Sequence, residues 1–241
     1  MRLINQINVY FKILIVVFFT VYYAIKVSFK AIFGRDKYFY RRNAVKWSER
    51  ILDVFKVRVE VQGLEELEVG KTYILVANHS SLFDIPVLFT VFKNFNFIIV
   101  YKRELERIPI FGLSLKVSPF VSIDRSDARS AMKSIEETLA KMSENDCPII
   151  FPEGTRSADG SLGSFKRGAF LLASMSLKPI VPVAISGSSK ILPKGSFNVK
   201  ANSIVNVRVF PPIENSKPLD RVGEKELMNK VFEQIKQGLI A

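Results

Sequence analysis

From residue 57 onward the chain alternates between short apolar runs and helix-like stretches, and this alternation limits its fold more than any other feature. Strands are expected at 57–62, 73–78, 95–101, 120–123, 148–152, 180–185 and 206–210. The first of these alternates apolar and polar residues strictly, so one of its faces meets solvent, whereas the others are continuously apolar, as in strands covered on both sides. Helices are expected at 81–91, 127–142, 165–176 and 224–239. The second carries Ala128, Met132, Ile135, Leu139 and Met142 at steps of four and three, one apolar stripe. Strands interleaved with helices make an α/β fold, a mostly buried mixed sheet flanked by helices. With no internal repeat and no low-complexity linker, residues 51–241 read as one domain. Pro182, inside an apolar run, is expected at a sheet edge or bulge because it has no N–H to pair.

The first fifty residues differ in character. Lys12 and Lys26 bracket thirteen uncharged residues, and residues 26–50 hold eight basic side chains against Asp36 and Glu49. Of the chain's net charge of +12, the first fifty residues carry +8. As a helix the uncharged run covers roughly 20 Å, against about 30 Å of hydrocarbon in a bilayer. The residues that follow it show no small-x-small cleavage pattern, so it reads as an uncleaved anchor. Residues 27–33, apolar but broken by Lys30, suggest a second, interfacial stretch. The expectation is a helical membrane anchor at 1–50, a monotopic two-helix unit at the cytoplasmic face of the cytoplasmic (inner) membrane. A single tilted span is the alternative. The basic cluster beside it suits anionic lipid headgroups. No zinc-finger spacing or aromatic–basic platform supports a nucleic-acid partner.

Composition removes several chemistries. One cysteine and one histidine rule out a conventional zinc site, so no metal is expected. Cys147 opens an apolar run and reads as a buried structural residue. The stretch Gly163-Ser164-Phe165-Lys166-Arg167-Gly168 is followed by Ala169, so it is not a phosphate-binding loop of the G-x-x-x-x-G-K-[ST] type. No G-x-S-x-G nucleophile elbow occurs.

Two places remain that can carry chemistry. His79 follows the 73–78 run, at the end of a strand where α/β folds place function, and histidine is suited to general-base work near neutral pH. Asp84 lies five residues on, within reach of the imidazole if the chain turns into a helix between them. The plainer reading of Ser81-Leu82-Phe83-Asp84 is a capping box, and that of His79 a satisfied structural histidine. The second place is Phe151-Pro152-Glu153-Gly154-Thr155-Arg156-Ser157, which can offer backbone N–H groups and a guanidinium to an anion, or can be a polar turn.

N-H-x-S-x-x-D around His79 and Asp84, followed about seventy residues later by F-P-E-G-T-R-S, resembles the glycerolipid acyltransferase family, closest to its bacterial 1-acyl-glycerol-3-phosphate acyltransferases. Further blocks fit in family order: Lys102-Arg103-Glu104-Leu105 with 108–112, then 120–125, Phe165-Lys166-Arg167-Gly168, and 181–185. The resemblance implies that His79 deprotonates the acceptor hydroxyl, that Asp84 orients it, and that no covalent acyl-enzyme forms. It implies that Lys102, Arg125 and Arg156 hold the acceptor's phosphate, and that Glu153, Gly154 and Thr155 belong to the same loop. Donor and acceptor would be an acyl thioester, of CoA or acyl-carrier protein, and lysophosphatidic acid, with no cofactor. Acylation of glycerol-3-phosphate or another lysophospholipid stays open, as does a non-catalytic lipid-binding protein on the same fold.

Overall fold

The computed structural model describes residues 2–123, 128–196 and 198–240. Helices α1 (Arg2–Ile32) and α2 (Lys37–Phe55) come first. They are followed by β1 (Arg58–Gln62), β2 (Ile74–Ala77), α3 (Asp84–Val91), β3 (Asn96–Lys102), α4 (Phe111–Val117), β4 (Val121–Ile123), α5 (Ala128–Lys141) and β5 (Asp146–Ile150). The chain closes with α6 (Gly168–Ser176), β6 (Ile180–Ser186), α7 (Ser188–Ile191), β7 (Ile204–Val209) and α8 (Arg221–Ile240). All seven expected strands are present, in the order β1-β7-β6-β2-β5-β3-β4. Neighbours run parallel except β6 and β7, so the sheet is mixed.

Alternation along the strands divides the core in two. Leu75, Ala77, Phe97, Ile149 and Val183 face a layer that includes α2 and α3, while Ile74, Val76, Ile180 and Ala184 face α6 and α8. Strand β2 is buried at every position, as its unbroken apolar run requires. Strand β1 is one of the sheet's two edges and stays largely exposed.

Pro182 is neither at an edge nor in a bulge. It pairs with Val76 inside the sheet, and the ladder to β7 begins one residue later at Val183. Its missing N–H therefore falls where that ladder ends, and its carbonyl still accepts the Phe210 N–H at 3.0 Å.

The N-terminal helices also depart from the expected pattern. Residues 27–33 are not a separate stretch. Helix α1 runs through them because Lys26 does not interrupt it: its ammonium lies about 6 Å from the rings of Tyr22, Tyr23 and Phe39. The turn comes at Gly34, where φ is +114°. Asp36 then caps α2 by accepting the Phe39 N–H at 3.0 Å. Helix α2 continues past residue 50 and buries Ile51, Leu52 and Phe55 in the core, so a boundary at 50 falls inside it.

Candidate active site

Three sequence blocks share one edge because their strands are neighbours. His79 follows β2, the 151–157 loop follows β5, and Lys102 ends β3. These strands are parallel and adjacent, so all three blocks emerge at one edge of the sheet, beyond the strands' carboxyl ends. Arg125 lies outside the described residues.

His79 is held from three directions. Asn78 fixes the strand end: its side chain donates to the Ile185 carbonyl at 2.9 Å and accepts the Ile185 N–H at 2.7 Å, extending the β2–β6 pairing by one rung. The imidazole stacks on Phe151, with centroids 4.1 Å apart. Its Nδ1 lies 2.8 Å from Asp84 Oδ2. Asp84 is wholly buried, and the same oxygen accepts the backbone N–H groups of Ser80 (2.7 Å) and Ser81 (2.8 Å). One buried oxygen of Asp84 therefore touches both the imidazole and the backbone N–H groups that lead into α3. A carboxylate on Nδ1 favours the tautomer with its proton there, which leaves the lone pair on Nε2.

The second loop is tied to the first. Glu153, almost fully buried, accepts the His79 N–H through Oε1 at 2.7 Å and the Gly163 N–H through Oε2 at 2.9 Å. Burial raises its carboxyl above the usual range, against the pull of those two N–H groups. The Ser157 N–H in turn donates to the His79 carbonyl at 2.8 Å. Gly154 has φ +74°, and a Cβ there would press on the Lys166 side chain at 3.2 Å. Arg156 lines a small polar cleft with Glu153, Ser161 and Gly163. Lys102 shares the edge but pairs with Glu104 at 2.9 Å rather than with this loop.

Two cations by the loop had no role assigned from sequence. Lys166 lies against Gly154. Lys194 donates to the Arg156 carbonyl at 2.8 Å and to Thr155 Oγ1 at 3.3 Å. Lys166 belongs to the Phe165-Lys166-Arg167-Gly168 block, while Lys194, between Pro193 and Gly195, has no sequence pattern that would single it out. Arg167 is engaged elsewhere, paired through Nη2 with Glu224 of α8 at 2.9 Å.

A histidine braced by a buried carboxylate beside a cationic loop suits proton removal from a hydroxyl next to an anionic group. No group of three or more His, Cys, Asp or Glu side chains that could hold a metal occurs among the described residues.

A family model described as Acyltransferase matches residues 58–186. The chain is 36% identical over 161 residues to a chloroplastic 1-acyl-sn-glycerol-3-phosphate acyltransferase of Arabidopsis thaliana, covering 66% of this chain and 45% of that protein. It is 36% identical over 172 residues to the 1-acyl-sn-glycerol-3-phosphate acyltransferase of Saccharomyces cerevisiae, covering 69% and 55%. The chain thus spans about half the length of the curated relatives it matches. The crystal structure of the 1-acyl-sn-glycerophosphate (LPA) acyltransferase of Thermotoga maritima superposes with a TM-score of 0.79 at 28% identity, covering 99% of this chain and 96% of that one.

Proposed function

Since the chain belongs to the acyltransferase family, we propose that it moves a fatty acyl group from a thioester donor to the sn-2 hydroxyl of lysophosphatidic acid, making phosphatidic acid. The observation that carries this reading is the His79–Asp84 pair, placed beside the Glu153–Arg156 loop. His79 Nε2 takes the acceptor's hydroxyl proton as the oxygen attacks the thioester carbonyl. The tetrahedral intermediate collapses with loss of the thiolate, and the imidazolium returns the proton to that sulfur. Asp84 stabilises the imidazolium in between. Arg156, with Lys102 and Arg125, binds the acceptor's phosphate, and the chemistry needs no metal. The donor is an acyl-CoA or an acyl-carrier protein.

We place the protein on one leaflet of a membrane rather than through it. Residues Val9–Ile32 of α1 are long and apolar enough to cross a bilayer. However, α1 is docked on α2 along its length. Tyr40 donates to the Val27 carbonyl at 3.2 Å, Trp47 Nε1 donates to Thr20 Oγ1 at 3.0 Å, and the Lys12 ammonium lies 5.9 Å from the Phe55 ring centroid. A spanning α1 would draw the exposed Arg42, Lys46 and Arg50 of α2 into hydrocarbon, at about 2.5–3.5 kcal/mol each. Lying in the membrane plane, α1 buries Phe11, Leu14, Phe18 and Ile25, which are exposed in the fold, and leaves the cations of α2 at the headgroups.

The test is transfer from a labelled acyl thioester to lysophosphatidic acid in detergent, comparing the native protein with His79→Ala. Loss of at least about a hundredfold in rate, with the fold retained, is expected. A variant as active as the native protein refutes the base assignment. Lipid binding by both proteins with no turnover from CoA or carrier-protein donors, for this or any related acceptor, marks a binding protein.

A further inference from the structure

The segment between β3 and β4 is built to hold apolar side chains out in solvent. Tyr101 donates to Glu106 Oε1 at 3.1 Å, and Gly112 packs so tightly on the Glu106 carbonyl that a Cβ would stand 2.2 Å from its oxygen. Ser114 donates to the Phe111 carbonyl at 2.6 Å. Between these ties Ile110 adopts φ +64°, ψ −57°, and the Phe111 N–H closes a three-residue turn on the Pro109 carbonyl at 2.6 Å. This is the strained form of the γ-turn, and a β-branched residue is poorly suited to it. The turn nevertheless carries isoleucine, 43% exposed, flanked by Ile108 at 46% and Leu113 at 53%. Glycine would remove both the strain and the apolar exposure, so the side chain itself is what the position supplies.

The knuckle stands beside the membrane-facing side of α1. Helix α4 packs on α1, and Ile110, Leu113 and Val117 share an apolar groove of about 550 Å³ with Ile25, Phe29 and Ile32. The charges around it suit a phospholipid surface. Glu104 is paired with Lys102, and Glu106 is turned to Tyr101, while Arg107 and Lys116 are exposed at the rim. We infer that the 108–113 knuckle is a second membrane-inserting element, entering the same leaflet as α1 with a bilayer acyl chain in the groove between them. The inference rests on the in-plane placement of α1. It gives the catalytic domain its own foothold, separated from the N-terminal helices by the width of the groove, and two footholds fix its orientation over the lipid where one would leave it free to rock.

The test uses the full chain bound to vesicles of zwitterionic and anionic phospholipid. A nitroxide is placed at Leu113→Cys in a Cys147→Ala background. It is expected to be relaxed more by oxygen than by a water-soluble nickel chelate, whereas one at Val69→Cys, exposed in the turn before β2, shows the reverse. Ile110→Gly is expected to keep or raise Tm while weakening vesicle binding, and Ile110→Glu with Leu113→Glu to weaken it at least tenfold. Both variants should transfer acyl groups at the native rate in detergent. If the native protein itself transfers nothing, the proposed activity fails and the nitroxide result stands by itself. A residue-113 nitroxide that stays open to the nickel chelate on bound vesicles overturns the inference. So does a double variant that binds vesicles as the native protein does, including one that does so while a native dimer becomes a monomer.

Discussion

Glu153 accepts the backbone N–H of His79 at 2.7 Å, joining two loops 74 residues apart in sequence. Its other oxygen holds the Gly163 N–H at 2.9 Å, so one buried carboxylate sets the spacing between His79 and the cationic loop. Glu153→Gln keeps one acceptor and turns an amide N–H₂ toward a backbone donor. A loss of about 1–3 kcal/mol in stability and a lower transfer rate are expected, read by denaturant unfolding and by the detergent assay.

The same residue makes stability depend on pH with a definite sign. Burial raises the Glu153 carboxyl, so folding favours proton uptake between its ordinary value, about 4.3, and its native value. The stability that this contributes is full below the ordinary value and is lost as pH rises through the native one. The difference in Tm between the native protein and Glu153→Gln should shrink as pH rises through that window and flatten above it. A difference that grows with pH in that range contradicts the assignment.

Asp84→Asn should be far more damaging to rate than to substrate affinity. An amide oxygen in place of Oδ2 can still accept from Ser80, Ser81 and Nδ1–H, but it carries no charge to set against an imidazolium. The imidazolium formed in the reaction then loses its counter-charge, and kcat should fall by about a hundredfold or more with KM little changed.

Asp146 anchors α2 to the sheet. It is buried, pairs with Arg41, and accepts from Lys37 at 3.0 Å and from the Ser143 N–H at 2.9 Å. Burial lowers the pKa of the Arg41 guanidinium, and Asp146 opposes that shift. Asp146→Asn should cost about 3–5 kcal/mol, because it strands a half-buried cation. Replacing both Arg41 and Asp146 by apolar residues should recover most of the loss, a comparison that urea unfolding makes directly.

Cys147 is buried and donates weakly to the Lys71 carbonyl, and burial pushes its thiol up to about 11. At pH 8 only on the order of one thiol in a thousand is ionised. Alkylation of the native protein should therefore be very slow and should accelerate sharply in denaturant, while Cys147→Ala keeps full transfer activity.

The alternating apolar runs of this chain were enough to determine its strands and its mixed α/β class, because continuous runs such as Ile74–Ala77 are stable only when covered on both sides. The spacing of His79 and Asp84 put them within reach of each other but left a capping box as the plainer reading, and only the fold brought the carboxylate to Nδ1. Strand order could not be read this way. That β2, β5 and β3 lie side by side, bringing three distant blocks to one edge, depends on contacts between faces that carry the same kinds of residue. The same holds for Glu153 as a brace, for Lys194 on the Thr155–Arg156 backbone, and for α2 as a core helix rather than the tail of an anchor. Local sequence determined what each segment becomes, and packing decided which segments meet, because periodicity and turn chemistry act over a few residues whereas partners are chosen by burial across the whole chain.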